Sequence, residues 1–191
     1  MQPQKKGDIS RKLILDATEK LMLDEGYGAV STRRVATEAG LKAPLVHYYF
    51  PTTDDLFVAL FKRSVASQLE RLDAAGDAPD SLLSLWASYK NSQATAMAVE
   101  FMALANHREA VRKEFARFTR QARKKRVELF ERLCGEQLGD GDQPTAEALA
   151  VVIIGIARTI VMEERLGISS GHSQANAFVE RWLASLQEAK A

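Results

Sequence analysis

The stretch Ser31–Phe50 reads STRRVATEAGLKAPLVHYYF and contains two short helix-forming patterns on either side of Gly40. Ser31 can cap the first helix, because its hydroxyl can accept from the free backbone N–H groups at a helix start. Gly40 stands where a helix most readily ends on a left-handed residue. Pro44 is tolerated in a first turn, since its missing N–H has no helical partner there. Two short helices around a glycine turn predict a helix-turn-helix, whose second helix enters the DNA major groove.

The remainder of the chain is expected to be helical too. Apolar residues recur at helical spacing in seven further segments, which predicts an all-α fold of about nine helices. The first long helix is expected to start near Asp8 or Ser10, after a loose polar arm, and to end at Gly26. Ala74–Pro79 is the clearest candidate linker, and the last helix is expected over Gln174–Lys190.

Composition argues against several classes of protein. Hydrophobic residues make up 46% of the 191 residues, which is ordinary for a globular chain. The longest apolar run, Ala148–Ala157, is shorter than the roughly 20 residues that span a bilayer. No basic-then-apolar signal segment opens the chain, and the single cysteine, Cys134, excludes an internal disulfide framework. We therefore expect a soluble cytoplasmic protein without a membrane partner.

Enzymatic chemistry has little support in the sequence. The three histidines, His47, His107 and His172, fall in separate predicted elements, so they do not form a convergent catalytic set. The chain has no glycine-rich phosphate loop and no spacing of Cys, His or acidic residues typical of a metal site. The protein is expected not to be an enzyme and to need no metal or cofactor.

Charge is unevenly distributed although the net charge is only +1. Residues 108–127 hold nine Lys/Arg and two Asp/Glu, whereas residues 1–63 hold ten and eight. The helix-turn-helix region is thus only mildly basic for a nucleic-acid binder. The basic helix over 108–126 is open to two interpretations, a solvated face or a second surface for DNA or an acidic partner.

From Leu13 to Leu56 the chain resembles the tetracycline-repressor (TetR) family of bacterial regulators. The features that match are Gly26-Tyr27, Ser31-Thr32-Arg33, Val35-Ala36, Ala39-Gly40, Val46, Tyr48-Tyr49-Phe50 and Asp54-x-Leu56. Two positions differ from the family pattern: Lys42 stands where a serine is usual, and Thr53 where a lysine often meets a phosphate.

The resemblance implies a homodimeric transcriptional regulator. Residues 1–51 would form the three-helix DNA-binding domain, and residues 52–191 the effector-binding and dimerisation domain. The partners would be a palindromic double-stranded operator, a second copy of the chain and a small-molecule effector that releases the repressor from DNA. The alternatives are an activator with the same DNA-binding domain and a helical protein-interaction module.

The residue types within the helix-turn-helix divide into three groups. Hydroxyls and backbone N–H groups at a helix start can bind phosphate, which predicts that role for Ser31, Thr32 and Arg33, although plain capping explains Ser31 equally well. The groove-facing residues are predicted to be Lys42, Ala43, Pro44, Leu45 and His47. Tyr48 and Tyr49 carry hydroxyls suited to phosphates, and packing against the first helix is the alternative for Tyr49.

The predicted helix over Thr145–Gly167 is apolar nearly all round, so more than one of its sides should be buried. Together with the last helix it is expected to form half of a four-helix dimer interface, through Val152, Ile156, Ile160, Phe178, Trp182 and Leu186. Burial of these residues within one subunit is the alternative.

An effector cavity would be enclosed by aromatic, methionine and charged residues on the intervening helices. The candidates are Trp86, Tyr89, Met97, Glu100, Phe101, Phe115, Phe118 and Arg158. Such aromatic sets are more often core than pocket. Glu100 and Arg158 stand inside apolar helices, so they could pair with each other, reach solvent or orient a polar ligand group.

Overall fold

The computed structural model describes residues 3–76, 81–90, 92–135, 138–139, 141 and 143–188, and all regular secondary structure in these ranges is helical. The helices are α1 (Pro3–Glu25), α2 (Thr32–Glu38), α3 (Ala43–Tyr49), α4 (Thr53–Gly76), α5 (Ser81–Tyr89), α6 (Ser92–Ala105), α7 (Glu109–Cys134), α8 (Ala146–Arg165) and α9 (His172–Glu188), with a 3₁₀ turn at Tyr27–Ala29. The predicted all-α fold class is confirmed. No helix among the described residues combines the length and apolar character needed to cross a membrane.

The chain forms two compact units that do not coincide with a division after residue 51. The first unit comprises Met1–Val65 and Met97–Ala116, and the second comprises Ala66–Ala96 and Arg117–Ala191. Helices α4, α6 and α7 each contribute residues to both units. The predicted division into residues 1–51 and 52–191 separates two functions, DNA binding on one side and effector binding with dimerisation on the other. It stays a prediction.

The core of the first unit is built by α1 to α4. Ile14 and Met22 of α1 are fully buried, as are Val35 of α2 and, nearly so, Val46 of α3. The guanidinium of Arg63 on α4 bridges to Asp16 at 2.6 Å and to Glu19 at 2.5 Å, which ties α4 to α1. Helices α2 and α3 thereby pack on a support formed by α1 and α4.

The second unit has its own core. Helix α5 packs against α8 and α9, and the buried side chains include Leu82, Trp86, Phe130, Leu149 and Leu183. Thr145 caps α8, because its hydroxyl accepts from the backbone N–H of Ala148 at 3.2 Å.

Several helix boundaries differ from the predicted ones. Helix α1 begins at Pro3, so the expected loose arm before Asp8 is wrong in that part; proline is tolerated in a first turn, and the lysines and glutamine that follow are good helix formers. Helix α4 continues to Gly76, into the predicted linker Ala74–Pro79, whose remaining residues lie outside the described residues. The predicted end of the last helix at Lys190 also lies outside them.

Candidate nucleic-acid interface and effector region

The turn between α2 and α3 has the predicted geometry. Ser31 caps α2, its Oγ accepting from the backbone N–H of Arg34 at 3.3 Å. Gly40 has φ of +65°, in the left-handed region, and the N–H of Leu41 donates to the carbonyl of Ala36 at 2.8 Å. This bond closes the end of α2 and sets the direction of α3.

Helix α3 has one buried face and one exposed face. Val46 and, after the helix, Phe50 are only 1% and 3% exposed. Pro44, His47 and Tyr48 are exposed and fall at positions i, i+3 and i+4, which places them on one face of the helix. This exposed face includes three of the predicted DNA-binding residues, while Ala43 and Leu45 are half-buried at its edge.

The charged groups near α2 are partly neutralised. Arg34 donates to both carboxylate oxygens of Glu25, at 2.9 and 2.6 Å, and this hydrogen bonding holds the pKa of Glu25 below its usual range. Lys20 pairs with Glu38 at 2.5 Å. Arg33 and Lys42 are exposed and have no ion pair among the described residues, so both are available to a phosphate.

Two other predicted DNA-binding residues, Thr32 and Tyr49, are half-buried. Thr32 is half-buried at the start of α2. The hydroxyl of Tyr49 lies 3.4 Å from the position that a Cβ on Gly7 of α1 would take, so Tyr49 packs against α1, and its contact with DNA stays a prediction. The contact also brings the start of α1 next to the end of α3, which the interpretation of this segment as a loose arm did not foresee.

The corner between α6 and α7 is bound to the helix-turn-helix support. A carboxylate oxygen of Glu100 accepts from the backbone N–H of Tyr27 at 3.1 Å. The ring of His107 stacks on that of Tyr27, with centroids 6.3 Å apart, and Arg108 donates to Asp54 of α4 at 3.2 Å. Glu100 was predicted as a ligand residue, and the observed partner gives it a structural contact that only the fold brings together.

The candidate effector residues are divided between the two units. Met97, Glu100, Phe101 and Phe115 belong to the first, and Trp86, Tyr89, Phe118 and Arg158 to the second. In the first unit the Phe61 ring meets those of Phe101 and Phe115 at 5.0 and 5.5 Å, and Met97 is 2% exposed. Met97, Phe101 and Phe115 thus pack in the first unit, and a ligand-binding role for them stays a prediction.

The candidate effector residues of the second unit include polar side chains as well as buried aromatic ones. Trp86 and Phe118 are buried, but Tyr89 and Arg158 are half-buried polar side chains. The Nε1 of Trp86 and the hydroxyl of Tyr89 are shielded from solvent and have no hydrogen-bond partner among the described residues.

Helices α8 and α9 carry an open groove of about 580 Å³. Its lining includes Val152 and Ile156 of the predicted dimer face. Val152 and Phe178 are 42% and 57% exposed, and Trp182 is half-buried and stacked on Phe178. Ile160 and Leu186 are only 5% and 3% exposed because they pack in the core of the second unit, so these two positions are corrected to core residues.

Among the described residues no group of three or more Cys, His, Asp or Glu side chains is arranged to hold a metal ion. The same part of the chain therefore offers no candidate metal centre.

Comparison with known families accounts for most of the sequence. Residues 14–60 match the family of bacterial regulatory proteins of the tetR type, and residues 82–188 match the C-terminal region of BetI-type transcriptional repressors. The chain belongs to the TetR family. This is the class of ligand-responsive DNA-binding regulators that the sequence predicted.

Solved structures of TetR-family and related regulators have the same fold. A transcriptional regulator from Saccharomonospora viridis, crystallised in complex with choline, has a TM-score of 0.77 at 17% identity, with 93% of this chain and 96% of that one covered. A TetR regulator from Haloarcula marismortui has a TM-score of 0.71 at 18% identity, with 95% and 98% covered.

A curated regulator protein matches a shorter part of the chain. The fatty acid metabolism regulator protein of Bacillus subtilis is 27% identical over 60 residues, and the match spans 31% of this chain and 31% of that protein.

Proposed function

We propose that the protein is a homodimeric repressor that binds a palindromic operator through α3 and leaves it when a small molecule binds. The observation that carries the proposal is the division of α3 into a buried face, with Val46, and an exposed face, with Pro44, His47 and Tyr48. A helix held from one side with polar and aromatic groups on the other is suited to the major groove. The BetI-type repressor match supports repression over activation.

The contacts to DNA follow from the side-chain chemistry. His47 can donate to or accept from a base edge, and the ring of Pro44 can meet a thymine methyl group. Arg33 and Lys42, the unpaired cations at the starts of α2 and α3, contact phosphates and fix the register of α3. Ser31 can still donate its hydroxyl proton to a phosphate while its oxygen accepts from Arg34.

Dimerisation uses the groove of α8 and α9. Its apolar residues Val151 and Val152 are 49% and 42% exposed, and Phe178 of α9 is 57% exposed. Exposed apolar groups of this size along two helices favour burial against a second copy. The dimer supplies the second reading helix that a mildly basic domain needs for tight binding.

Release from DNA requires coupling between the effector and the helix-turn-helix. Helices α6 and α7 contribute to both units, and their corner is attached to Tyr27 and Asp54 through Glu100 and Arg108. A ligand that displaces α6 or α7 therefore moves the support of α3. The displacement lowers DNA affinity only if the ligand binds the two conformations with different affinity.

The effector is a small organic molecule bound in the second unit. One regulator of similar fold holds choline, and a multidrug binding protein, EbrR, with a TM-score of 0.60 at 23% identity, holds imidazole. These cases support a small-molecule site without fixing its chemistry. No catalytic role is assigned to the chain, and its place of action is the cytoplasm, where its DNA partner is found.

Selection of binding sites from random duplexes tests the reading helix. The wild type should enrich a palindrome. The variant His47→Ala should lose preference at particular base pairs, by about 1–3 kcal/mol each. Arg33→Ala should weaken all duplexes alike and lower the salt slope by about one.

Arg112→Ala is the matched control, because Arg112 is an equally exposed arginine of the first unit on α7; it should leave both properties unchanged. Enrichment of no palindrome contradicts the proposal. A helical protein-interaction module instead predicts partner binding that ionic strength hardly changes, whereas DNA binding should weaken steeply with added salt.

A further inference from the structure

The second unit contains a group of arginines that converge on Tyr89 at the end of α5. The guanidinium carbon of Arg126, on α7, lies 5.6 Å from the centroid of the Tyr89 ring. Arg158 of α8 is close enough to feel the charges of Arg126 and Arg123 and the hydroxyl of Tyr89. Helices α5 and α7 therefore bring a phenol and a guanidinium together, and Arg158 of α8 interacts with both electrostatically.

The hydrogen-bonding state of this group is unusual. Tyr89 Oη, Arg126 Nε and Trp86 Nε1 are each shielded from solvent and lack a hydrogen-bond partner among the described residues. All three can donate a hydrogen bond. A buried donor without a hydrogen-bond partner raises the free energy of the folded protein, so each of these groups lacks an acceptor.

The lysines of α7 have acidic partners. Lys125 binds Asp73 at 2.7 Å and Lys124 lies 3.7 Å from Glu128. Within the described ranges, no carboxylate forms an ion pair with Arg123, Arg126 or Arg158. Arg126, which lies over the Tyr89 ring, thus has no carboxylate to balance its charge among the described residues.

Electrostatics agree with this geometry. Burial lowers the pKa of Arg158, and the charges of Arg126 and Arg123 lower it further. Burial raises the pKa of Tyr89 to about 12, with Arg126 and Arg158 acting against the rise, so the phenol remains a donor. Clustered cations taken out of water without a counter-charge raise the free energy of the unliganded protein.

We propose that Tyr89, Arg126 and Arg158 form the anion-recognising end of the effector site, and that the effector carries a carboxylate or phosphate group on an apolar body. The anion supplies the acceptor that Tyr89 Oη and Arg126 Nε lack. Guanidinium groups suit it, because they pair with carboxylate and phosphate through two parallel N–H groups. The inference rests on the proposed function, since it gives the effector of that regulator a chemical class.

The apolar part of the ligand has a matching environment. Tyr89 packs against the apolar core that contains Trp86, Phe130 and Ala157. A ligand anchored at Arg126 and Arg158 therefore meets hydrocarbon and aromatic surface beyond its charged end. A cationic ligand would face two unpaired guanidinium groups at the same place.

The test measures ligand binding to the full-length protein by calorimetry and thermal melting. The probes are octanoate, octyl phosphate, octanol and octyltrimethylammonium, which share one chain and differ in the charge of the head group. Octanoate or octyl phosphate should bind and raise the melting temperature, and whichever binds more tightly identifies the anion. Octanol should bind at least about tenfold more weakly, because it lacks a charge-assisted hydrogen bond, and octyltrimethylammonium should not bind.

Variants separate recognition from folding. Arg126→Gln and Arg158→Gln should weaken anion binding roughly 10- to 100-fold. Since each removes an unpaired buried charge, neither should lower the melting temperature of the free protein. Lys124→Gln is the control on the same helix, with the same loss of charge at a residue next to Glu128, and it should bind as the wild type does.

The assignment is overturned if neither anion binds, if octanol or the cation binds as tightly, or if the two arginine variants retain wild-type affinity. It is overturned as well if these variants lower the melting temperature of the free protein, since the arginines then stabilise the fold. Operator binding is measured separately on the same samples. Retained operator binding with failed anion binding removes this inference alone, and failed operator binding removes the proposed function.

Discussion

Gly40 is the residue on which the geometry of the helix-turn-helix depends most. Its φ of +65° lies in the region that other residues avoid, although no atom lies within 4 Å of an added Cβ. We therefore predict that Gly40→Ala lowers the free energy of unfolding by about 1 kcal/mol through backbone strain alone, measured by denaturant unfolding. Gly28→Ala is the control, because Gly28 has equal space and no positive φ. Equal stability of the two variants would contradict this account of the turn.

Single-residue roles could be predicted where the partner is close in sequence. Thr52 and Asp55 have the sequence spacing of a capping box, and both hydrogen bonds of that motif are present at 3.1 Å. The Ser31 cap and the Gly40 turn likewise depend on residues that are close in sequence. Glu100 could not be assigned from the sequence, because its partner Tyr27 lies 73 residues away and only packing brings the two together.

At the scale of elements, helices α6 and α7 contribute residues to both units, and the corner between them belongs to the first unit. We predict that Glu100→Ala costs about 1.5 kcal/mol of stability, since a charged acceptor of a half-buried N–H is lost. It should also weaken the effect of effector on operator affinity, because α6 loses its hold on Tyr27. Equilibrium unfolding and operator titration with and without effector measure the two effects.

Glu109→Ala is the control for this contact. Glu109 is exposed and pairs with Lys113 one turn along α7 at 2.9 Å, so its loss should cost no more than about 0.5 kcal/mol. If Glu100→Ala behaves like this control in both measurements, the corner does not couple the effector to the DNA-binding helices.

The elements themselves were largely predictable, and their ends less so. Periodicity located the helices because each has an apolar stripe to bury. The start of α1 at Pro3 was missed, since a polar segment gives no such stripe. Periodicity also could not tell which side of α8 remains exposed: Ile160 is core and Val152 is surface, although both were assigned to the predicted dimer interface.

At the scale of the whole molecule, DNA binding is expected to depend on two copies. We predict that Phe178→Lys converts the dimer to a monomer and weakens operator binding about a hundredfold or more, since the second half-site is then bound independently. Sedimentation velocity and operator titration measure this. Leu166→Lys is the control, because Leu166 is 74% exposed and lies after the end of α8, outside the two helices of the predicted dimer face. A dimeric Phe178→Lys protein would show that this face is not the interface.

The measurement that tests the central claim most directly is a hydroxyl-radical footprint on a selected operator. Two copies of α3 in successive major grooves should protect two equal patches. Their centres should lie about 34–36 Å apart, or a whole multiple of that distance, and His47→Ala should weaken both patches together. A single patch, two unequal patches at another spacing, or protection that His47→Ala leaves unchanged would contradict the assignment of α3 as the paired reading helix.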